Sequence, residues 1–429
     1  MQERIAIVEG LRTPFAKAGE ELKTVQADDL GAGIVREVMD RVDVARSDVD
    51  EVIIGNVAQP AHAANIARVV ALKAGFSEQV IAHTVHRNCA SGMQSITAAA
   101  GQIATGESRI VVAGGTESMS HIPLMYGPEM TELFQRLFRA RSARAKLGAL
   151  FSFRPKFLKP VIGVMQGLTD PVCGLNMGQT AEVLSKEFHI SRDEQDAYAL
   201  QSHLRALDAI KEGRLAEEIH PVPIPPRYDG MLEADSGPRE GQTIEALAKL
   251  RPYFDRHNGT VTVGNACPIT DGAAAVVLMP ESEAKQRGLP RLGYLREYAY
   301  AGLEPNRMGL GPVYATAKVL ERSGLSMSDI DLIELNEAFA AQVLACVKAF
   351  ESDTFAQTYL GRDTALGRIQ MDRLNVNGGA IALGHPVGTT GTRLVITLLR
   401  EMQRRGLNRG LATLCIGGGQ GAALILERD

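Results

Sequence analysis

The 429-residue chain lacks the features that mark several whole classes of protein. Its five cysteines, at 89, 173, 267, 346 and 415, are odd in number and widely spaced. With no CxxC pair and no histidine at zinc-finger distance, neither a disulfide framework nor a structural metal is expected. No uninterrupted apolar stretch reaches the roughly 18 residues of a membrane-spanning helix. The opening MQERIAIVEGLRTPF is charged and strand-like, unlike the apolar run of a secretion signal. A cytoplasmic location, where thiols stay reduced, is the expectation. Positive charge is not in excess either: 46 Lys and Arg stand against 50 Asp and Glu, a net charge of −4, so nucleic acid is not an expected partner. What is present is the balance of a soluble globular protein, 45% hydrophobic and 22% charged. The length calls for two or three compact units around a large core.

Short apolar runs (IAIVEG, DEVIIGNV, RIVVAGG, AAAVVLMP) alternate with longer helical stretches such as DDLGAGIVREVMDRV and MQSITAAAGQIATG. This rhythm predicts an α/β architecture of buried strands covered by helices on both faces. The two ends of the chain also resemble each other. Residues 26 to 56 run helix, SDVD, apolar strand and Asn56, and residues 311 to 336 run helix, SDID, apolar strand and Asn336. Residues 91–115 and 390–418 each read small-residue turn, helix, strand and paired glycines. A duplicated half is the simplest reading. It sets an N-terminal half at 1–120, completed by about 269–290, and a C-terminal half at 291–429.

Between them, 121–268 breaks the rhythm and is expected to form a loop domain over the site. From Leu133 to Lys159 it carries eight basic residues, no acidic one and five of the twelve phenylalanines. Basic segments interleaved with aromatics favour anionic surfaces, whether a bilayer face, a partner subunit or a nucleotide phosphate. The plainer alternative is a solvated basic face packed by its phenylalanines.

Chemistry concentrates in four segments. VHRNCASGMQSI places Cys89 after a strand and just before a helix, where free backbone N–H groups and the helix dipole favour an anion. Its thiol is therefore expected to lose its proton more easily than a free cysteine. In GGAIALGHPVGTTG, His385 lies among glycines, in a loop where an imidazole can point inward and act as base. In CIGGGQG, Cys415 closes an apolar strand at its carboxyl end, where α/β folds put their sites. In NEAFA, Asn336 offers an amide able to hold a water or an oxyanion.

NCASG, NEAFA, GGAIALGHP and CIGGGQG, in that order, resemble the thiolase family over nearly the full chain. EALAKLRPYF followed by GTVTVGNACPITDGAAAV is similar to the thiolase segment leading out of the coenzyme A loop. The resemblance implies duplicated βαβαβαββ halves in a five-layer αβαβα fold with an inserted loop domain. It implies that Cys89 is the acylated nucleophile, His385 its activator and Cys415 the acid/base on the α-carbon of the second thioester. Asn336, through a water, and His385 would hold one thioester oxygen, and the N–H groups of Cys89 and Gly417 the other. Coenzyme A would be the co-substrate, with no permanently bound cofactor and no metal. Arg239 would meet its phosphate end, while Met177, Phe254, Cys267, Ile269, Ala338 and Phe339 would line the pantetheine and acyl path.

Two positions depart from family habit: Cys267 where many thiolases have serine, and Asn176 where biosynthetic acetoacetyl-CoA thiolases often have histidine. The long basic insertion looks like that of the thiolase subunit of fatty-acid oxidation complexes, similar to the trifunctional protein β subunit. The implied activity is a degradative 3-ketoacyl-CoA thiolase of β-oxidation, acting on acyl-CoA and CoA. The implied assembly is a homodimer or homotetramer, with a hydratase/dehydrogenase α subunit as a further partner and a peripheral membrane contact through 133–159. Three alternatives stay open: a biosynthetic acetoacetyl-CoA thiolase, a decarboxylating ketosynthase, and a catalytically silent carrier on the same fold.

Overall fold

A computed structural model describes residues 3–429. Nine strands carry the architecture: β1 (Ile5–Arg12), β2 (Glu51–Gly55), β3 (Ile81–Val85), β4 (Val111–Ser118), β5 (Thr270–Pro280), β6 (Gly293–Gly302), β7 (Leu332–Leu335), β8 (Arg409–Ile416) and β9 (Gln420–Glu427). Their hydrogen-bonded order is β7-β8-β9-β6-β1-β5-β4-β2-β3, and the two-residue strand Ala16–Lys17 on β5 brings the sheet to ten strands. The central join between β1 and β6 is short: only Ile5, Ala6 and Ile7 pair with Leu295, Tyr294 and Gly293. On either side of it lie two half-sheets of matching connectivity. β2 runs parallel to β4, and β7 runs parallel to β8 in the other half.

The inner strands β2, β4 and β5 are continuous apolar runs because both of their faces are covered, and side chains alternate between two different cores, whereas the edge strand β3 is partly exposed. In β5, Ala273, Ala275, Val277 and Met279 join one buried cluster with helices α1 (Ala27–Arg41) and α2 (Ile66–Lys73). The intervening Ala274, Val276 and Leu278 face a second cluster. That second cluster takes in helix α3 (Ser91–Thr105), a late helix over Thr390–Arg405, and the inward side chains Ala412, Leu414, Ala422, Leu424 and Leu426 of the other half-sheet. A third cluster joins Leu411, Ala423 and Ile425 to the helices over Gly311–Ser323 and Ala340–Phe350. Three cores between alternating helix and strand layers make the five-layer αβαβα arrangement expected of the sequence.

The remaining longer helices are α4 (Pro128–Arg139), α5 (Ala143–Phe151), α6 (Met177–Glu187), α7 (Arg192–Lys211), α8 (Gly311–Ser323), α9 (Ala340–Phe350) and α10 (Thr390–Arg405). The first four fall in the long excursion between β4 and β5. There Met130, Leu133 and Ala149 form a small cluster of their own, separate from the three main cores. Among the described residues no helix is long and apolar enough to cross a membrane.

The middle layer is made by α3 and α10, which meet at their first turns. A Cβ on Gly92 would lie 2.6 Å from the Thr392 hydroxyl oxygen and 2.7 Å from its backbone nitrogen. A Cβ on Gly391 would lie 2.4 Å from the backbone nitrogen of Met93. The contacts are reciprocal, 92 against 392 and 391 against 93, which is the signature of a local two-fold axis between the halves. Gly92→Ala would force the helices apart and is expected to cost about 1–3 kcal/mol, as overpacking does. The measurement is the thermal unfolding midpoint, which should fall while the far-UV dichroism of the folded state is retained.

Candidate active site

The loop before α3 presents Cys89 in a fixed geometry. Asn88 adopts a left-handed backbone conformation, φ 44°, tied down by two short contacts. Its side-chain amide donates to the Gly417 carbonyl at 2.7 Å, and its own carbonyl accepts from the Ser91 hydroxyl at 2.7 Å. Cys89 and Ala90 then lead directly into the first turn of α3. The Asn88–Gly417 bond is the tie between the nucleophile loop of one half and the glycine turn of the other. Gly418 and Gly419 in that turn have φ of 91° and 79°, so side chains there would be strained.

Burial raises the Cys89 thiol above its ordinary value, against opposing hydrogen bonds from the Gly417 and Cys89 backbone, and the Glu117 charge raises it further. This corrects the expectation that the helix N-terminus would make it the more acidic thiol. Desolvation of the charged form outweighs the helix dipole here. Cys89 is held as a thiol, and forming the nucleophile requires a base.

His385 is the candidate for that base. It is buried, and burial together with the Arg393 charge lowers its pKa to about 3, so the imidazole is neutral at physiological pH. Its tautomer follows from its neighbours. Nδ1 lies 2.6 Å from the Thr390 hydroxyl oxygen, and that hydroxyl lies 3.0 Å from the Pro386 carbonyl, which can only accept. The hydroxyl hydrogen therefore goes to Pro386 and Nδ1–H donates to Thr390, leaving the lone pair on Nε2. Asn336 presents its amide nitrogen to that same Nε2 at 3.5 Å, a contact at the limit of hydrogen bonding. Asn336 Oδ1 is buried without a hydrogen-bond partner among the described residues.

Glu337 holds these pieces in register. Its carboxylate accepts from the Tyr198 and Ser202 hydroxyls at 3.0 and 2.6 Å, the Asn375 amide at 3.0 Å and the Ile381 N–H at 3.2 Å. α7, the NEAFA segment and the short helix Ala380–Leu383 before His385 are thus bound to one side chain. The NEAFA segment is also paired with the Asn265–Cys267 stretch: Cys267 N–H donates to Ala338 O at 3.0 Å and Ala340 N–H to Asn265 O at 2.9 Å.

Cys415 lies on β8 with its side chain turned away from the middle core. It joins a small apolar cluster with Ala338 and Phe339, against which Met177 and Phe254 pack. Burial and the neighbouring thiols Cys89, Cys346 and Cys267 raise it well above the usual thiol value. Burial, with Cys89 adding to it, pushes Cys267 up to about 12. Cys89, Cys267 and Cys415 are thus three neighbouring thiols, each held protonated. Phe254 packs edge-on to Phe339 with ring centroids 5.8 Å apart, and its ring fills the space where a Cβ on Gly178 would stand. The Met177 sulfur lies 3.2 Å from where a Gly417 Cβ would be.

The fold thus gathers Cys89, His385, Asn336, Cys415, Gly417, Cys267, Met177, Phe254, Ala338 and Phe339. Arg239 and Ile269 lie exposed at the margin. The Arg239 N–H meets His203 Nδ1 at 3.3 Å, and Ile269 O accepts from Ala18 N–H at 2.9 Å. Among the described residues no cluster of His, Cys, Asp or Glu is set to hold a metal ion. Thr390, Asn88 and Glu337 escaped the reading of the sequence. Each lies within five residues of a residue that was singled out, so the signal was adjacency to a motif.

The chain matches two family profiles, described as "Thiolase, N-terminal domain" over residues 5–282 and "Thiolase, C-terminal domain" over residues 289–428. It is 43% identical over 426 residues to the 3-ketoacyl-CoA thiolase of Pseudoalteromonas translucida, covering 99% of this chain and 97% of that one. The same figures hold for the 3-ketoacyl-CoA thiolase of Yersinia pestis. Among solved structures it is similar to the Bacillus anthracis acetyl-CoA acetyltransferase, with TM-score 0.86, 38% identity and 99% of each chain covered. It is equally similar in TM-score, 0.86, to human mitochondrial 3-ketoacyl-CoA thiolase in complex with CoA, at 35% identity over 100% of this chain and 98% of that one.

Replacing Thr390 with Val removes the acceptor for His385 Nδ1–H. An unpaired buried donor costs about 1–3 kcal/mol, and the tautomer with a free Nε2 is no longer favoured. Acylation of Thr390→Val by acetyl-CoA, followed by mass spectrometry of the Cys89 peptide, is expected to slow about ten-fold or more.

Proposed function

The chain belongs to the thiolase family, and from that premise we propose that it is a degradative 3-ketoacyl-CoA thiolase, cleaving 3-ketoacyl-CoA with CoA to acetyl-CoA and a shortened acyl-CoA. The observation that carries this reading is the approach of three segments: the Cys89 loop is tied at Gly417 to the turn that follows Cys415, and the His385 loop reaches Asn336 at 3.5 Å.

The chemistry follows from their protonation. His385 Nε2 takes the Cys89 proton as the sulfur attacks the 3-keto carbon, giving a tetrahedral oxyanion. Collapse of that adduct breaks the bond between the α- and β-carbons, leaving the acyl group on Cys89 and the electron pair on acetyl-CoA as an enolate. Cys415, held firmly as a thiol, donates its proton to the α-carbon. In the second half the Cys415 thiolate removes the proton of incoming CoA, whose sulfur takes the acyl group while Cys89 leaves and recovers its proton from the His385 imidazolium. The Gly417 N–H beside the Cys89 sulfur and the Asn336 amide beside His385 lie where developing oxyanions need donors. In a dry cavity such donors are each worth about 3–4 kcal/mol. Coenzyme A enters as substrate, and the scheme uses no metal and no bound cofactor.

The degradative subtype rests on the naming of the 43%-identical relatives and on Asn176, which is committed to capping α6. Its side chain accepts from Gln179 N–H at 2.9 Å while Gln179 returns the bond. A β-oxidation setting in the cytoplasm and assembly as at least a dimer complete the reading, and the five free cysteines accord with a reducing compartment.

The excursion adds an anionic membrane surface to this proposal. Phe138 and Phe151 are 93% and 81% exposed, and Phe134, Leu147 and Leu150 are exposed beside them. Arg139 and Lys146 line one surface hollow with Phe134 and Phe138. Apolar side chains rimmed by lysine and arginine are the composition that inserts at a lipid headgroup boundary. A hydratase/dehydrogenase subunit is the competing occupant.

Thiolysis measured across acyl chain length tests the activity. Medium and long 3-ketoacyl-CoA should be cleaved efficiently, Cys89→Ala should lose turnover by more than about a thousand-fold, and prior acetyl-CoA should block iodoacetamide labelling of Cys89. Activity confined to acetoacetyl-CoA would favour the biosynthetic alternative. Flotation with phosphatidylglycerol vesicles tests the surface: the wild type should float at low salt, and a Phe138→Ser, Phe151→Ser variant should not.

A further inference from the structure

The duplication makes the second copy of the catalytic pocket traceable. β2 ends with Gly55 opposite Gly115 of β4, and β7 ends with Leu335 opposite Thr413 of β8. Laying one half on the other sets Asn56 on Asn336 and Glu117 on Cys415. The reciprocal crossing of α3 and α10 sets Gly92 on Gly391, and so Cys89 on Gly388. In the working pocket the Cys89 loop of the first half meets Asn336 and Cys415 of the second. In its counterpart the Gly388 loop of the second half meets Asn56 and Glu117 of the first.

That counterpart is filled. Glu117 is buried, and its two oxygens accept four hydrogen bonds. Oε1 takes the Asn56 amide at 3.1 Å and Ala58 N–H at 2.9 Å; Oε2 takes Val57 N–H at 3.1 Å and Gly388 N–H at 2.9 Å. Gly388 is pressed on from the other side too, since a Cβ on Gly115 would stand 2.1 Å from its carbonyl oxygen. The mechanism above makes no use of this carboxylate. Yet Gly388 is three residues from His385 and two from Thr390, the partner that sets the imidazole tautomer.

We propose that Glu117 is a positioning residue for the acyl transfer, whose carboxylate occupies the duplicate of the catalytic pocket and latches the His385 loop through Gly388 while placing a negative charge near Cys89. The inference rests on the thiolase reading only in taking Cys89 as the nucleophile. Four donors on two oxygens use every in-plane lone pair, which is the geometry of the ionised group. Burial opposes ionisation and lifts the carboxyl to about 7, with Asp271 on β5 adding to the rise. Asp271 is itself held by the backbone and hydroxyl of Ser120 and feels His121, and the Cys89 thiol, on the loop before α3, lies within electrostatic reach of Glu117. Asn56, Val57, Ala58 and Gly388 bring no titratable group. A proton on Glu117 has to displace one of the four donors, so the latch loosens as pH falls below about 7 and is complete above it.

Glu117→Gln keeps size and removes charge, and its NH2 opposes two N–H donors. The folded variant is expected to lose about ten- to a hundred-fold in kcat for thiolysis, as a sub-ångström to ångström displacement of a catalytic group does, with KM for CoA within two-fold. The pH midpoint of Cys89 alkylation by iodoacetamide should move down by about half a unit or more, because a nearby negative charge has gone; Glu117→Asp should leave it in place. A merely structural role would lower thermal stability without moving that midpoint down, and an unmoved or raised midpoint overturns the proposal. If Glu117→Gln does not fold, amide exchange of the wild-type 384–392 peptide decides. Corrected for intrinsic rates, protection should decline as pH falls from 8 to 6, and constant protection overturns the latch. A wild type whose Cys89 acetyl-CoA fails to protect would instead sink the thiolase reading, and the alkylation comparison would still report on Glu117.

Discussion

The crossing of two helix N-termini over paired glycines is the constraint on which the site depends. Gly92 and Gly391 bring α3 and α10 close enough that the loops feeding them, one ending in Cys89 and the other carrying His385, are side by side. Neither half contains the chemistry alone. Cys89 belongs to the first, while Asn336, His385 and Cys415 belong to the second. The middle helix layer therefore does more than fill the space between two half-sheets. It sets the distance over which a proton passes from sulfur to imidazole.

Around that crossing the polar groups are sorted by burial. His385 is neutral because it is buried near Arg393, and Cys89 and Cys415 stay protonated because charge is costly in the same cavity. The three groups proposed as base, nucleophile and acid thus all stand uncharged. In the proposed reaction, charge arises only on bound substrate, beside the Gly417 N–H and the Asn336 amide. The buried carboxylates Glu117 and Glu337 lie one step back and each bind several donors.

Much of this was legible in the sequence because it rests on local pattern. Unbroken apolar runs such as AAAVVLMP reported strands covered on both faces, and the repeated order of helix, SDVD or SDID, strand and asparagine reported the duplication. The motif residues Cys89, Asn336, His385 and Cys415 were visible because glycines and small side chains surround them. The acidity of Cys89 was misread, since position before a helix is a property of sequence whereas desolvation is a property of the folded whole. Thr390 and Glu337 went unnoticed because their roles consist of hydrogen bonds across the fold, to His385 in one case and to Tyr198, Ser202, Asn375 and Ile381 in the other. Glu117 could have been found by aligning 111–118 with 409–416, where it falls on Cys415.

The raised thiol of Cys89 has a consequence outside turnover. Peroxides and disulfides attack thiolates far faster than thiols. A cysteine that stays protonated until an imidazole takes its proton during attack on a substrate carbonyl spends little time in the form that oxidants consume. The burial that raises the thiol thus also ties its reactive form to the moment a base acts on it.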